Sequence, residues 1–406
     1  MYQSQSAGLV AYKVQASLGT QASALSANLL RIAGGPGAKV SKAATESVEV
    51  RNDGLSTRGR HGSQKATSAY NGEMSLGSHD PIVEAIMRGT WDATALTKTQ
   101  ADFTSLTTGA NTIILASGSP IAMGFRVGDV IRATGLPDAG NNGRNLRITA
   151  LSATTITVAE TLVVNAVADT SCSLTRPGKR LINSAPLVKR YFTLEEYESD
   201  IDQSTVLTDF VWGTGKLSMS ADGLIRFDPG GIGTGAAQAL TTGASPYFTS
   251  PVAPTDVPFS VVDATIRFGG TDLVELTSFD LSLDIQPNAP VTFGSGSQKY
   301  SPDVFTGPLK IGMNLTMLRK SLAIFSDFLA ETPYSLHVLA VDNMSEPKDF
   351  MSIVVPNFTL GGVDPSALSK QGGPRTQSIT IPPALVGVDT SATGNGSMIS
   401  FQTTAP

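Results

Sequence analysis

Cysteine is almost missing from this chain: one residue, Cys172, in 406. A single thiol closes no intrachain disulfide and builds no thiolate metal cluster, and it suits a reducing compartment. Charge is scarce too. Asp, Glu, Lys and Arg make up 16% of residues, against roughly 25% in an ordinary soluble chain. The formal net charge of -5 carries no basic excess of the kind that marks a nucleic-acid binder. Apolar residues, at 41%, do not fill the gap; Thr, Ser, Gly and Ala do. Such a surface suits burial between subunits, because interface cores are depleted of charge. Aromatics are only 6%, and Trp91 and Trp212 lie far apart in sequence. That weakens the main rival reading, a monomeric carbohydrate-binding or adhesive β protein. No apolar run approaches the ~18 residues that span a bilayer. The start, MYQSQSAGLVAYK, lacks the basic-then-apolar pattern of a signal peptide. The expectation is a soluble chain with no membrane partner.

Most of the patterning is β. Phe279, Leu281, Leu283 and Ile285 alternate with Asp280, Ser282, Asp284 and Gln286, the period of a half-buried strand. ATIRFGG and TDLVEL read as a hairpin turning at Gly269-Gly270. Ser335–Val341 and Phe350–Pro356 read as two strands, and QSITI as another stopped by paired prolines. Two helices are expected. In SHDPIVEAIMRG, Ser78 or Asp80 can cap, Pro81 suits the first turn, Gly89 ends the helix, and Ile82 and Ile86 give a packing face. In Lys320–Glu331, Leu322, Phe325 and Leu329 fall at helical spacing and predict a packing stripe. The fold class is mainly β (α+β), with short flanking helices. Residues 103–178 look like a separate insert, with the echoing strands ANTIILA and ATTITVA; ~75 residues of short strands is the size of a small β-barrel. The rest, 1–102 and 179–406, then forms one discontinuous unit.

Candidate chemistry is thin. The three histidines are His61, His79 and His337, and His337, inside an apolar strand, reads as structural. GTGKLS (Gly213–Ser218) lacks the first glycine and the hydroxyl residue of a phosphate loop, so it reads as a turn feeding a strand. LEEYESDID packs five carboxylates into nine residues, but it lacks the glycine and glutamate of a calcium loop and reads as a solvated acidic face. Phe125–Thr149 is glycine-rich, yet strand-like sequence lies on both sides where a phosphate cradle needs a helix; it reads as a strand reversal. Leu55–Lys65, with Arg58, Arg60 and Lys65, reads as a flexible basic loop that reaches a neighbouring subunit or ring. No catalytic residue, cofactor or metal is expected.

In this order, three stretches carry a resemblance: GEMSL followed at once by DPIVEAIM, TLEEY with the downstream LSMSADG, and FTGPLKIGMNLTMLRKSLAIFSDFLAETPYSLHVLAV. Over roughly 10–102 and 179–400 the chain resembles the tail tube (major tail) proteins of bacteriophages with long, non-contractile, siphovirus-type tails. The stretch Phe103–Pro177 resembles a small β module inserted in several phage structural proteins. The resemblance implies a β-sandwich or barrel core with flanking helices, similar to type VI secretion tube proteins. It implies six-subunit rings stacked into a hollow tube, a conduit for genome delivery without catalysis. It also implies a virion location after assembly in the host bacterial cytoplasm, with a tape measure protein inside and terminator and tip proteins at the ends. DNA would pass in transit only, since phosphate–cation contacts would hold it. Asp280 and Asp284 are candidates to line the lumen, the alternative being the outer wall. The insert is expected on the tube exterior, because ~75 residues per subunit would obstruct the bore.

Overall fold

The computed structural model describes residues 2–292, 300–342, 347–370 and 372–405. Every ladder between its strands is antiparallel, and the strands fall into sheets of twelve, six and eight. The mainly β expectation therefore holds.

The largest sheet is organised by one strand, Gln203–Ser220, about 60 Å long at about 3.3 Å per residue. One of its edges pairs with Arg226–Gly233 and Ala237–Leu240. The other pairs first with Phe192–Glu198 and then with Leu276–Asp284. A register shift between Trp212 and Thr214 separates the two halves. Beyond Arg226–Gly233 comes a hairpin of two 14-residue strands, Ile32–Thr45 and Arg60–Glu73. At the opposite edge the order runs Leu276–Asp284, Lys310–Leu318, Thr376–Ile381, Gly362–Pro365. The GTGKLS segment is thus not a turn but the middle of this strand. Its glycines serve close packing: a Cβ on Gly215 would stand 2.7 Å from the Phe227 ring and 3.0 Å from Ile86 Cδ1.

The six-stranded sheet runs Lys179–Ile182, Ser400–Thr403, Phe350–Phe358, Tyr334–Val341, Ala264–Phe268, Thr271–Asp272. Its inner face, with Leu336, Val338, Ala340, Ile353, Val355 and Phe401, shares one core with Phe279, Leu281, Leu283, Met313 and Leu315 of the large sheet. That makes a β-sandwich. The helix Asp80–Met87 lies at this core with Ile82, Val83 and Ile86 buried, as predicted. Its N-cap is His79, with no side-chain cap bond, and Arg88 closes it in the left-handed conformation at φ 52°. Ser78 is instead used locally, its Oγ accepting from the Ser75 N–H at 3.0 Å.

The outer face of the six-stranded sheet is apolar too, and the eight-stranded sheet covers it. Leu339 and Phe350 are buried with Val130, and the Gln402 amide group bonds the Val130 N–H and C=O at 2.8 Å each. The eight-stranded sheet starts at Leu96–Lys98, earlier than the sequence boundary at 103, and ends at Ser173–Arg176. It has its own core of Phe103, Phe125, Ile131, Leu146 and Ile156. The two echoing strands, Thr112–Leu115 and Thr155–Val158, are hydrogen-bonded neighbours. The glycine-rich window joins strands Val130–Thr134 and Leu146–Leu151, which pair with each other. A short 3-10 turn, Ala139–Asn141, lies between them, so a reversal stands where a phosphate cradle was weighed.

His337 sits between the layers, its Nε2 2.8 Å from Ser352 Oγ. Burial, and then the nearby Arg147 charge, lower its pKa to about 3. The unfolded ring takes a proton as pH falls through about 6.5 and the folded ring does not, so stability drops on acidification. In the variant His337→Gln, which keeps a hydrogen-bonding side chain but does not titrate, the loss between pH 7 and pH 5 should shrink by about 2 kcal/mol, read from urea midpoints at the two pH values. Gly215→Ala should cost about 1–3 kcal/mol through overpacking, measured by urea unfolding at pH 7.

Candidate assembly surfaces

The side chains of the large sheet that face away from the sandwich core form a polar, wetted surface. Along strand Leu276–Asp284, Phe279, Leu281 and Leu283 are buried while Asp280, Ser282 and Asp284 are not. Registers carry the face sideways. Asp280 lies beside Ser218 and Asn314, Ser218 beside Arg226, and Arg226 beside Glu73. Asp284 lies beside Thr214 and Lys310. Lys216 Nζ reaches Asp280 Oδ2 at 3.2 Å. The face carries Glu73, Asp228, Asp280, Asp284 and Asp364 against Lys216, Arg226 and Lys310 and, toward the hairpin, Lys39 and Lys65, so its charges balance and its aspartates cluster on and around strand Leu276–Asp284. It lies on the side of the sandwich opposite the eight-stranded sheet.

The basic segment is placed differently from its expectation. Leu55–Lys65 is only partly a loop, because the strand begins at Arg60 and includes Lys65. Arg58 stands in the connection 46–59, and all three cations are exposed. The hairpin is an arm. Ile32–Thr45 is exposed along nearly its whole length. Its ladder shifts register three times, around Gly34, Gly37 and between Lys42 and Ala44. Bulges and lysines are the usual protection of an open edge strand. The tip presents Val48 and Val50 at 94% and 97% exposure.

The acidic stretch is not a solvated face. Glu195, buried on strand Phe192–Glu198, accepts from Ser204 Oγ at 2.6 Å and from the Tyr247 and Phe248 N–H groups at 2.6 and 2.8 Å. Glu196 accepts from the Ala38 N–H at 2.7 Å and from the Tyr70 hydroxyl at 3.1 Å, and so ties the arm's root to the sheet. A carboxylate with several donors is a structural anchor. The period-two pattern of the strand was the available signal, since it places alternate glutamates on opposite faces.

The second helix, Ala323–Leu329, is also reassigned. Leu322, Phe325 and Leu329 are 60%, 40% and 67% exposed, while Ile324 and Phe328 pack on the core. The predicted stripe is therefore not the packing face within the chain.

The buried ionic contacts are structural. Arg147 bridges the eight-stranded sheet to the six-stranded one, meeting Glu160 at 2.6 Å and Asp272 at 2.8 Å. Burial works against its charge, and the two carboxylates more than offset it, leaving its pKa above the ordinary value. Asp129, paired with Arg180 at 3.2 Å, has its pKa raised by burial despite the cation. A cavity of about 310 Å³ is lined in part by Tyr12, Gly77, Asp80 and Lys179. There Lys179 meets Asp80 at 2.9 Å and lies 5.5 Å from the centre of the Trp91 ring. Burial raises the Asp80 carboxyl, with Lys179 acting against it. This pair fixes the first turn of the helix to strand Lys179–Ile182; it presents no nucleophile and base together. His79 is buried and held neutral, its pKa lowered to about 3 by burial and then Arg31. Among the described residues no three His, Cys, Asp or Glu side chains gather as metal ligands. Among the described residues no helix is long and apolar enough to cross a membrane. Trp212 lies in the core against Tyr12, Phe192 and Phe210, so the two tryptophans line no common groove.

A family model described as phage tail tube protein matches residues 5–383. No curated protein matches the chain. The match covers nearly the whole sequence, so the chain belongs to the phage tail tube protein family, a structural component of the bacteriophage tail.

Proposed function

We propose that this tail tube protein forms hexameric rings that stack into the tube of a long, non-contractile, siphovirus-type tail, the conduit for genome delivery. One observation carries the orientation. The polar face with Asp280 and Asp284 and the eight-stranded sheet lie on opposite sides of the sandwich. Only one side can face a bore. The polar face suits it, because the carboxylates of Asp280 and Asp284 repel DNA phosphates and help the genome pass. The eight-stranded sheet, the insert of the domain reading, then stands on the tube exterior. A tape measure protein would occupy the lumen before DNA, with terminator and tip proteins at the two ends. Assembly would take place in the host bacterial cytoplasm before incorporation into the virion, and no cofactor or catalysis enters this reading.

The arm supplies the stacking contact in this reading. Arg58, Arg60 and Lys65 are exposed on a projecting hairpin, and ordering the connection 46–59 costs entropy that contacts with another copy must offset.

Two variants test these assignments. Concentrated wild-type protein should give rings or tubes in negative-stain microscopy; a persistent monomer at every concentration would overturn the reading. Arg58→Glu with Arg60→Glu should leave single rings but stop tube growth. Asp280→Lys with Asp284→Lys should still assemble, and its tubes should retain double-stranded DNA in low-salt co-sedimentation where wild-type tubes do not. Equal retention would place the two aspartates away from the lumen.

A further inference from the structure

The cavity beside the first helix holds a reactive arrangement that assembly does not use. Asp80 stands in the first turn of helix Asp80–Met87, and Lys179 opens strand Lys179–Ile182. Their side chains are only 15% and 14% exposed, and Nζ lies 2.9 Å from Oδ2. Oδ2 nevertheless has no hydrogen-bond partner, because the contact with Nζ is too bent to count as one. Nζ is at most one C–O bond length farther from Cγ. Tyr12, fully buried, lines the same cavity, and its hydroxyl is also without a partner. Both reacting groups are held in place. Trp91 donates from Nε1 to the Asp80 carbonyl oxygen at 3.3 Å, while its ring centre lies 5.5 Å from Lys179 Nζ. Lys179 pairs with Thr403 across the sheet. The preceding Gly178, at φ 68°, runs so close that a Cβ would stand 1.9 Å from the Thr403 carbonyl oxygen.

We infer that Lys179 and Asp80 join in an intramolecular isopeptide bond, the Lys179 amine attacking the Asp80 carboxyl carbon while the Tyr12 hydroxyl donates a hydrogen bond to the carboxyl oxygen. As an ion pair, ammonium and carboxylate do not react. Burial disfavours both charges, and it raises the Asp80 carboxyl against the opposing pull of Lys179. A proton passing from Nζ to the carboxylate leaves a neutral amine beside a neutral acid. Nζ then bonds to Cγ. Burial, and then the Asp80 charge, raise the Tyr12 pKa, so its hydroxyl keeps its proton and can stabilise the developing oxyanion. The nitrogen gives one proton to the leaving hydroxyl, which departs as water. The product is a neutral amide, and no oxidant or cofactor enters the balance. Fixing both partners at contact distance supplies the proximity that such a step needs.

The bond sits where the fold can use it. Residues 80 and 179 flank the eight-stranded sheet, which runs from Leu96 to Arg176. Its two connections already lie side by side, Asp92 and Arg180 exchanging backbone hydrogen bonds at 2.8 and 3.1 Å. A covalent link there closes a loop of roughly 100 residues and constrains the unfolded chain as a disulfide would. With one cysteine, the chain has no disulfide for that purpose.

The test is the mass of the full-length protein under denaturing conditions. Intact-mass spectrometry should read one water below the mass of the sequence. A tryptic map should show a branched peptide joining the segments around Asp80 and Lys179. Lys179→Arg keeps the positive charge, but a guanidinium stays protonated and does not attack, so this variant should show the full mass. The full mass in wild-type protein, both free and assembled, would overturn the proposal. So would a water loss that persists in Lys179→Arg, or one that maps to Asp53–Gly54, where a cyclic imide has the same mass. Tyr12→Phe removes a hydroxyl that bonds nothing in the fold, so its urea midpoint should not fall below that of Lys179→Arg. Its water loss, followed in freshly translated chains, should slow at least about tenfold. An unchanged rate would overturn the part given to Tyr12. All of these readouts come from one chain and do not depend on whether the subunits form rings.

Discussion

The structure depends on a sheet that is apolar on both faces. Along Tyr334–Val341, Leu336, Val338 and Ala340 point into the sandwich core while His337 and Leu339 are buried on the other side. A sheet of that kind must be covered twice. The large sheet covers one face and the eight-stranded sheet the other, and the order of three layers follows from this requirement. It also decides which surface remains wet: the far side of the large sheet, where period-two alternation leaves Asp280, Ser282 and Asp284 against solvent. The Arg147 bridge to Glu160 and Asp272 and the Gln402 bonds to Val130 then fix the position of the third layer. The eight-stranded sheet is accordingly more than an ornament, since it closes a core face that would otherwise be exposed.

Much of this was legible in the sequence because the signal was local. Strict alternation placed Phe279–Leu283 with the correct side inward, paired prolines ended the strand at Ile381, and Pro81 with Ile82 and Ile86 announced the first helix. What stayed hidden depended on partners distant in sequence. Gly213 and Gly215 look like a turn until Phe227, Ile86 and Pro287 are seen to crowd them. Glu195 looks solvated until Ser204, Tyr247 and Phe248 supply its donors. The helical stripe of Leu322, Phe325 and Leu329 is real as a pattern, but within this chain nothing covers it and its residues stay exposed. Period alone identifies an apolar face and not what covers it. The outer strand of the arm, Ile32–Thr45, was missed for a related reason: exposed on both sides, it carries no alternation to read.

The scarcity of charge also acquires a location. The polar face keeps its charges, and Val48, Val50 and Leu55 at the arm tip and Leu322, Phe325 and Leu329 on the second helix are among the exposed apolar residues. In a free monomer those residues are a liability, and the bulged edge of the arm limits indiscriminate strand pairing. A protein that assembles needs attraction at chosen places and protection elsewhere, and the arm carries both, an apolar tip and a bulged edge.

The strand order carries a further consequence, in time. Lys179–Ile182 can complete the six-stranded sheet only against Ser400–Thr403, which is translated roughly 220 residues later; at a synthesis rate of about 5–20 residues per second that wait is on the order of 10–40 s. The eight-stranded sheet, contiguous from Leu96 to Arg176, is by then already made, with Val130 and Arg147 holding no partner in the sandwich. A nascent chain therefore carries a finished eight-stranded sheet and an open sandwich until Ser400–Thr403 arrives. Messages cut short before that strand yield chains whose six-stranded sheet lacks Ser400–Thr403, so the sandwich stays incomplete.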